Sequence, residues 1–566
     1  MSITILLLAL LVGAIGFIVV AARRMQGQSL TGQMFRRAFQ YMLLYAMLLV
    51  VANGAAALLA RAFGSTPDFD EPLLFAQSVT AVVIGLPITA LLIWWIVRAH
   101  RKEPEERESL IFQAYLTTSA LTGAAMTAAK LTEGLTSALG SQIFDGDALG
   151  HLIMWLIVWV VHWRVIRRTL GQTNAVAHLL LGSTIGLVLA AGGLIDLLAT
   201  SLEMLTGTQI LVGSFVPLGS AAGLFVSGAL LWIVYWLISA SKLPRGTTWH
   251  AYVLLLGVAG GLLTGLVGAQ ALLWRGLVNL LGDPMPFVTW FEWPQALAAL
   301  IIGAMIWWYH RDLLDAATHT PLHRVYQYLV SGIGAIAAAA GVGLLVVALV
   351  DSITPAQLSH EPINTLLGGL TLIIVGAPLW WSHWRLVQRA AAEDPGVELT
   401  ATPRRIYLIV LVGAAVITVV IALIAAVAAL MADAIENQLS LTTLYDVRTE
   451  LGYLTAGLTI IAYHAAVLRQ DSRNAPAKTE TTTPDVSSTK AGRLILVGPL
   501  DPTLATTVHK RFDRPVEFLA SNTGETWNAD AVLAQIEAHN ADDDLLIIAR
   551  EQGLETRPIS EVRNLQ

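Results

Sequence analysis

PLWWSHWRLVQR, residues 378–389, ends a run of Leu, Ile, Val and Gly with three tryptophans, a histidine and two arginines. WLIVWVVHWRVIRR, residues 155–168, ends another run in the same manner. Trp concentrates where a bilayer meets water, because its ring is apolar while its N–H wants a wet partner. Arg at a helix end carries its guanidinium out to the headgroups, and a helix C-terminus favours positive charge through its dipole. An apolar run of about 20 residues spans the hydrocarbon core as a helix. A run closed by such a sequence reads as a transmembrane helix arriving at the membrane surface.

The whole chain has the same character. Of 566 residues 55% are hydrophobic and 13% charged, against about a quarter charged in soluble proteins. Long apolar runs recur from the first residue to about position 470, and the last hundred residues are polar and then mixed. There is no cysteine, which removes disulfides and thiol chemistry and leaves the redox compartment open. The net charge is -6, and from Arg493 onward 7 Lys/Arg stand against 12 Asp/Glu. A nucleic-acid partner needs the opposite sign, so none is expected. At the start, Arg23 and Arg24 follow the apolar stretch instead of preceding it. That is the reverse of a secretory signal, and residues 1–35 read as an uncleaved helix with its N-terminus outside, followed by a basic loop.

Internal similarity organises the rest. RRAFQY at 36–41 returns as HRVYQY at 323–328, more loosely as RRIYLI at 404–409, and weakly as IFQAYL at 111–116. Each opens a long apolar stretch, and each is followed by a second one with an aromatic and basic close. The closes align as a column of Trp95, His162, Tyr235, His310, His383 and His464, at intervals of 67, 73, 75, 73 and 81 residues. Six two-helix units therefore fill residues 36–470, and with the first helix make 13 spans. Lys and Arg gather in alternate loops (Arg98, Arg101, Lys102; Arg164, Arg167, Arg168; Arg385, Arg389), while the intervening loops hold acids such as Asp68, Asp70 and Asp283. Arg448 is the exception. By the positive-inside rule the C-terminus is cytoplasmic, and the six units are parallel repeats, not inverted ones. The expected fold is an all-α polytopic membrane bundle with a small C-terminal α/β soluble domain, in a bacterial inner (plasma) membrane.

The paired helices, the R-x-[FY]-Q-Y opening and the W-x-x-H-W-R close resemble an uncharacterised family of bacterial membrane domains, known as a domain of unknown function. The resemblance holds for the units at 36, 323 and 404, less for that at 109, and little for those near 174 and 248. It implies tandem two-helix repeats in a membrane, and no activity, substrate or catalytic residue.

Two sets of residues are candidates for chemistry. His162, His310, His383 and His464 recur at one depth, and neutral imidazoles from several helices can hold haem iron or another metal. Against this, two units carry Trp95 and Tyr235 in their place, and no second histidine follows at the spacing of bis-histidine cytochromes. Closure of helices at the membrane surface accounts for the column, and no cofactor or metal is expected. Charges within spans are costly and often functional. Lys130 and Glu133, three apart on a helix, can pair; Asp196 is the deepest acid. The three are the candidates for transport or for a charge pair, although no string of polar groups crosses the membrane. Gly257, Gly261 and Gly265, four apart, and the stretch AAAAGVG at 337–343 allow close helix packing in lipid, first within the chain and secondarily between chains.

DSRNAPAKTETTTPDVSSTKAG, residues 471–492, is poor in large apolar residues and reads as a disordered tether. Residues 493–566 then read strand, helix, strand, helix, strand, a small parallel α/β unit, with Asp501 as a helix N-cap and Pro502 after it. LVGPLDP has one glycine at the first strand–helix turn, too few for a phosphate loop. The residues thus suggest a non-enzymatic scaffold or sensor, with the lipid bilayer around it and a cytoplasmic protein as partner of residues 493–566. A transporter or channel for a small solute or ion is the second reading, and a haem-binding redox protein the third.

Overall fold

The computed structural model describes residues 32–64, 71–103, 107, 109–139, 146–170, 172–206, 216–283, 293–314, 321–354, 362–474, 494–499, 501–512, 516–520, 527–539, 544–550 and 553–558. The N-terminal helix expected before residue 32 and most of the tether lie outside them. Contacts divide the chain into two units, Met1–Ala475 and Pro476–Gln566.

The apolar runs of the first unit are helices: α1 (Gly32–Ala62), α2 (Glu71–Lys102), α3 (Leu110–Leu139), α4 (Gly146–Thr169), α5 (Gln172–Thr206) and α6 (Val216–Trp232). They continue with α7 (Thr247–Leu281), α8 (Trp293–Asp312), α9 (Pro321–Ile353), α10 (Pro362–Glu393), α11 (Thr402–Ile435) and α12 (Arg448–Asn474). Proline opens α9 and α10, where the missing N–H would have had no partner. Two helices carry a stretch of π-helix, Ile233–Leu237 after α6 and Val253–Ala259 within α7. Among the described residues ten helices are long and apolar enough to cross a membrane. The chain is a membrane protein by this measure.

Packing follows one order. Each odd-numbered helix lies against the helix that follows it, from α1 on α2 to α11 on α12. The first five of them also lie against the helix three further on: α1 on α4, α3 on α6, α5 on α8, α7 on α10 and α9 on α12. The contacts between successive pairs depend on small residues. A Cβ on Gly150 would run into the α1 backbone at Ala60. One on Gly223 would stand 2.7 Å from the Thr132 carbonyl of α3, and one on Gly452 3.1 Å from the Gly343 carbonyl of α9. Each of these glycines precedes its column residue (His162, Tyr235, His464) by twelve positions. At the matching place before His383 stands the buried Thr371, whose hydroxyl accepts a 3.4 Å hydrogen bond from Gln270 of α7. Close approach replaces the water-driven association that lipid cannot supply. In α2 the residues twelve before Trp95 and His100 are Val83 and Ile88, 64% and 39% exposed, and among the described residues no helix covers that side.

The glycines singled out in sequence serve inside the chain. Gly261 and Gly265 face the backbone of α8 near Trp307 and Gly303, and Gly341 faces Gly369 of α10. Arg448, the exception to the charge alternation, is also accounted for. Its guanidinium pairs with the buried Asp351 at 3.0 Å and lies 3.6 Å over the Tyr445 ring. A neutralised, stacked Arg is a packing element and carries no loop charge.

In the second unit, β1 (Leu494–Gly498), β2 (Val516–Ala520), β3 (Leu545–Arg550) and β4 (Gly553–Pro558) form one sheet in the order β2-β1-β3-β4. Leu494, Leu496, Leu545 and Ile547 pack with Leu504 and Val508 of α13 (Pro502–Phe512) and with Val532 and Ile536 of α14 (Ala529–Glu537). Asp501 is the N-cap, accepting from the Thr503 and Leu504 N–H groups at 2.9 and 3.1 Å. Two expectations need correction. The sheet is mixed, because β4 adds an antiparallel edge to β3. And α12 runs to Asn474, so residues 471–474, expected in the tether, are helical.

A sheet with its own apolar core should fold without the helices. We expect an isolated 493–566 fragment to unfold cooperatively in a thermal scan followed by circular dichroism; a featureless decline would contradict an independent core.

Candidate functional site

The histidines of the column share one local geometry. His162, His310, His383 and His464 each place Nδ1 2.8–3.1 Å from the carbonyl four residues earlier in the same helix, at Val158, Ile306, Leu379 and Ile460. A carbonyl only accepts, so Nδ1 carries the proton and Nε2 is left as an acceptor. In two of the four that acceptor takes a hydrogen bond from the partner helix of the same pair. The Tyr115 hydroxyl donates to His162 Nε2 at 3.3 Å, and Tyr407 donates to His464 Nε2 at 3.1 Å. In the α9–α10 pair the Tyr326 and His383 rings stand edge to face at 5.9 Å. In the α7–α8 pair Tyr252 and His310 are 6.0 Å apart.

The two units in which the column had no histidine follow the same rule differently. In the first, Tyr41 of α1 bonds His100 of α2 at 2.9 Å. The residue aligned by sequence, Trp95, is 50% exposed, so the aligned position was five residues early. In the third, Tyr235 stands on the second helix and His178 on the first, with rings 5.2 Å apart. The two residues are present with places exchanged, but as a ring contact only: among the described residues neither His178 nitrogen has a hydrogen-bond partner, and the Tyr235 hydroxyl accepts from Trp159 at 3.0 Å. Tyr235 is therefore no precedent for tyrosine facing tyrosine, as a single His383→Tyr change would create opposite Tyr326.

These side chains are core. His178 and His310 are fully buried, and His162 and His464 nearly so. The closing sequence PLWWSHWRLVQR divides between two roles. Trp381 is 55% exposed, as a residue facing lipid would be, while Trp384 is fully buried. The Trp384 indole donates to Tyr463 at 2.6 Å and lies 5.4 Å from the Tyr407 ring. The expectation of Trp384 as a lipid-facing anchor is thus corrected. An amphipathic ring suits a membrane interface and an aromatic core equally, and here neighbouring helices supply the partner for its N–H.

An arginine in the opening of three first helices has a partner of its own: the motif arginine in two, and in the third the residue before it, Arg404. Arg37 pairs with Glu103 at 2.6 Å, Arg324 with Glu398 at 2.8 Å, and Arg404 with Asp471 at 2.6 Å. Each joins the start of a first helix to an acid at or just beyond the end of the second. The last is the most enclosed. Arg404 Nε and Nη2 grip both Asp471 oxygens, Nη2 also donates to Gln388, and the guanidinium lies over Trp384 at 5.7 Å. Tyr328, the final residue of its motif, donates to Glu398 at 3.0 Å. Arg and Tyr from one helix therefore meet acid and His from the other. Sequence reasoning saw the motif but missed the acids, which stand 66 to 74 residues downstream of their arginines.

The charged candidates lie apart from this belt. Lys130 bonds Glu133 at 2.7 Å and also Asp147 at 3.0 Å, and His151 lies 3.1 Å from Asp147. Glu133 and Asp147 are more than a third exposed, and the cluster ties the second half of α3 to the start of α4. Asp196 is exposed on α5, and among the described residues no hydrogen bond or ion pair reaches it. Among the described residues no group of three His, Asp or Glu is arranged to hold a metal.

In the C-terminal unit the chain order reverses at β1, and the crevice at the carboxyl ends of such strands is where α/β sheets bind ligands. Trp527 fills it. A Cβ on Gly498 would lie 2.6 Å from the Trp527 ring, and the indole donates to the Pro499 carbonyl at 2.5 Å.

Residues 37–163 and 324–459 match the family model described as Domain of unknown function (DUF5671). An uncharacterised domain thus occurs twice in the chain, first across α1–α4 and again across α9–α12. The belt of α5–α8 lies between the two matches. No curated protein and no solved structure matches the chain.

Proposed function

We propose, for a chain in which a domain of unknown function occurs twice, the role of a non-enzymatic membrane scaffold or sensor. In this reading six parallel two-helix units and an N-terminal helix make 13 spans of a bacterial inner membrane, with the N-terminus outside. The α/β unit is then a cytoplasmic docking domain for a protein partner. The observation that carries it is the use of the column imidazoles. At His162 and His464, Nε2 accepts from tyrosine and has no lone pair left for a metal, which supports a helix-to-helix clamp as the use of the histidine at those two places. The Trp527 plug likewise supports a docking role for the tail over nucleotide binding. A second reading, a transporter or channel for a small solute or ion, draws on Asp196, an acid without a described partner inside a span.

The topology is tested by cysteine labelling, which is clean in a chain that has none. A cysteine at Asp147 should label from outside intact spheroplasts and one at Lys478 only after permeabilisation; labelling of both from one side would sink the topology. For the functional class, purified protein should show no haem absorption, and reconstituted vesicles no solute or ion flux beyond that of a scrambled-topology control. A haem spectrum or a flux lost in Asp196→Asn would replace this reading.

A further inference from the structure

In the α7–α8 pair the clamp stays open. His310 is fully buried, its Nδ1 is satisfied by Ile306, and its Nε2 has no protein partner. The Tyr252 hydroxyl, which by the rule of the other pairs should donate to it, is also buried and unpartnered. The buried indole N–H of Trp232 lies against the Tyr252 hydroxyl, in a contact too poorly aligned to satisfy either atom. Three buried polar atoms thus share one aromatic cluster: Trp236 lies 4.6 Å from Tyr252 and 5.8 Å from His310, and Trp232 lies 5.6 Å from Tyr309. The Tyr309 hydroxyl accepts from Trp236 at 2.9 Å.

Backbone and packing hold the opening in place. The π-helical stretch 233–237 begins at the residue after Trp232, and the stretch 253–259 at the residue after Tyr252. Each widens the helix next to an unpartnered side chain, and such π-turns recur at functional sites. Gly257, inside the second stretch, lies against the His310 ring so closely that a Cβ would enter it. The glycine fixes the imidazole. Both π-stretches also fall outside the segments matched by the family, so this cluster is a departure from the common unit.

We propose that this cluster binds a neutral hydroxyl group, carried by an amphiphilic alcohol or by water, which donates to His310 Nε2 and accepts from Trp232 and Tyr252. The polarity is complementary atom by atom: one acceptor on the imidazole, two donors on the indole and the phenol. Leaving three buried polar atoms unmet would cost a penalty at each, while a charged ligand would meet no counter-ion in the cluster. The site does not depend on the scaffold or sensor role.

The test uses the full chain in lipid nanodiscs with 2,2,2-tribromoethanol as the probe, its bromines quenching the indoles. Bromoform, which lacks the hydroxyl, is the control. Saturable quenching by the alcohol alone, weakened tenfold or more in His310→Phe and in the isosteric Tyr252→Phe, is the expected result for an amphiphilic alcohol. In parallel, ¹⁵N-histidine labelling reads His310 Nε2, assigned by its loss in His310→Phe. A hydrogen-bonded Nε2 that shifts in Tyr252→Phe, with no saturable quenching, identifies the occupant as water and also supports the site. Non-saturable quenching together with a His310 Nε2 signal indifferent to Tyr252→Phe overturns it, because Tyr252 alone does not reach the imidazole. Both variants are first checked for wild-type helicity, and Trp232→Phe replaces either one that fails.

Discussion

Asp471→Ala is expected to lower the stability of the helical unit by about 3–5 kcal/mol, because it leaves Arg404 as an uncompensated buried charge. Arg404 has 2% of its side chain exposed, and Asp471 supplies both oxygens that it grips. Gln388 alone cannot neutralise it. The double variant Asp471→Ala with Arg404→Met should recover most of the loss, since replacing a whole buried pair by apolar atoms is often neutral. Unfolding in mixed micelles measures both. Equal losses in the single and the double variant would mean that Arg404 contributes by packing on Trp384 and not by its charge.

Gly303→Leu should be as severe, at about 3 kcal/mol or more. Gly303 of α8 meets Gly265 and Gly261 of α7 backbone to backbone, with the Gly261 carbonyl 2.7 Å from where a Cβ would stand. Nothing flexible can give way there, so the two helices must part. Gly413→Leu is the control. No atom lies within 4 Å of its Cβ position, and removing a glycine from a helix interior gains about 0.5–1 kcal/mol. If both changes are tolerated alike, helix approach at Gly303 is not what holds α7 to α8.

The helical architecture was legible because lipid imposes it: apolar length, basic ends and aromatic belts are written in composition and spacing. The belt's internal logic was only half legible. The recurring histidine could be aligned, but its tyrosine stands in the preceding helix, 47 to 59 residues away in the bonded pairs. Reading Tyr and His jointly would have found the exchanged pair His178–Tyr235, and would have moved the first unit's member from Trp95 to His100. Burial of the tryptophans could not be read at all. Trp381 and Trp384 are three positions apart on the same side of α10, and the burial of only the second depends on where Tyr463 of α12 lies. The antiparallel β4 was missed because GLETRP is polar and starts with glycine; as an edge strand it needs no apolar alternation.

Histidines clamped to tyrosines, with no cofactor between them, are the centre of this account, and a reciprocal exchange tests it most directly. His464→Tyr and Tyr407→His each break the 3.1 Å bond, and each should destabilise by about 1–2 kcal/mol. The double variant restores a Tyr–His pair in the order that His178 and Tyr235 already show. It should be more stable than the sum of the singles predicts, with a coupling of about 1 kcal/mol, and with no change in bound metal or visible absorption. Strictly additive losses, or a chromophore or metal present in the wild type and lost in either single variant, would contradict it.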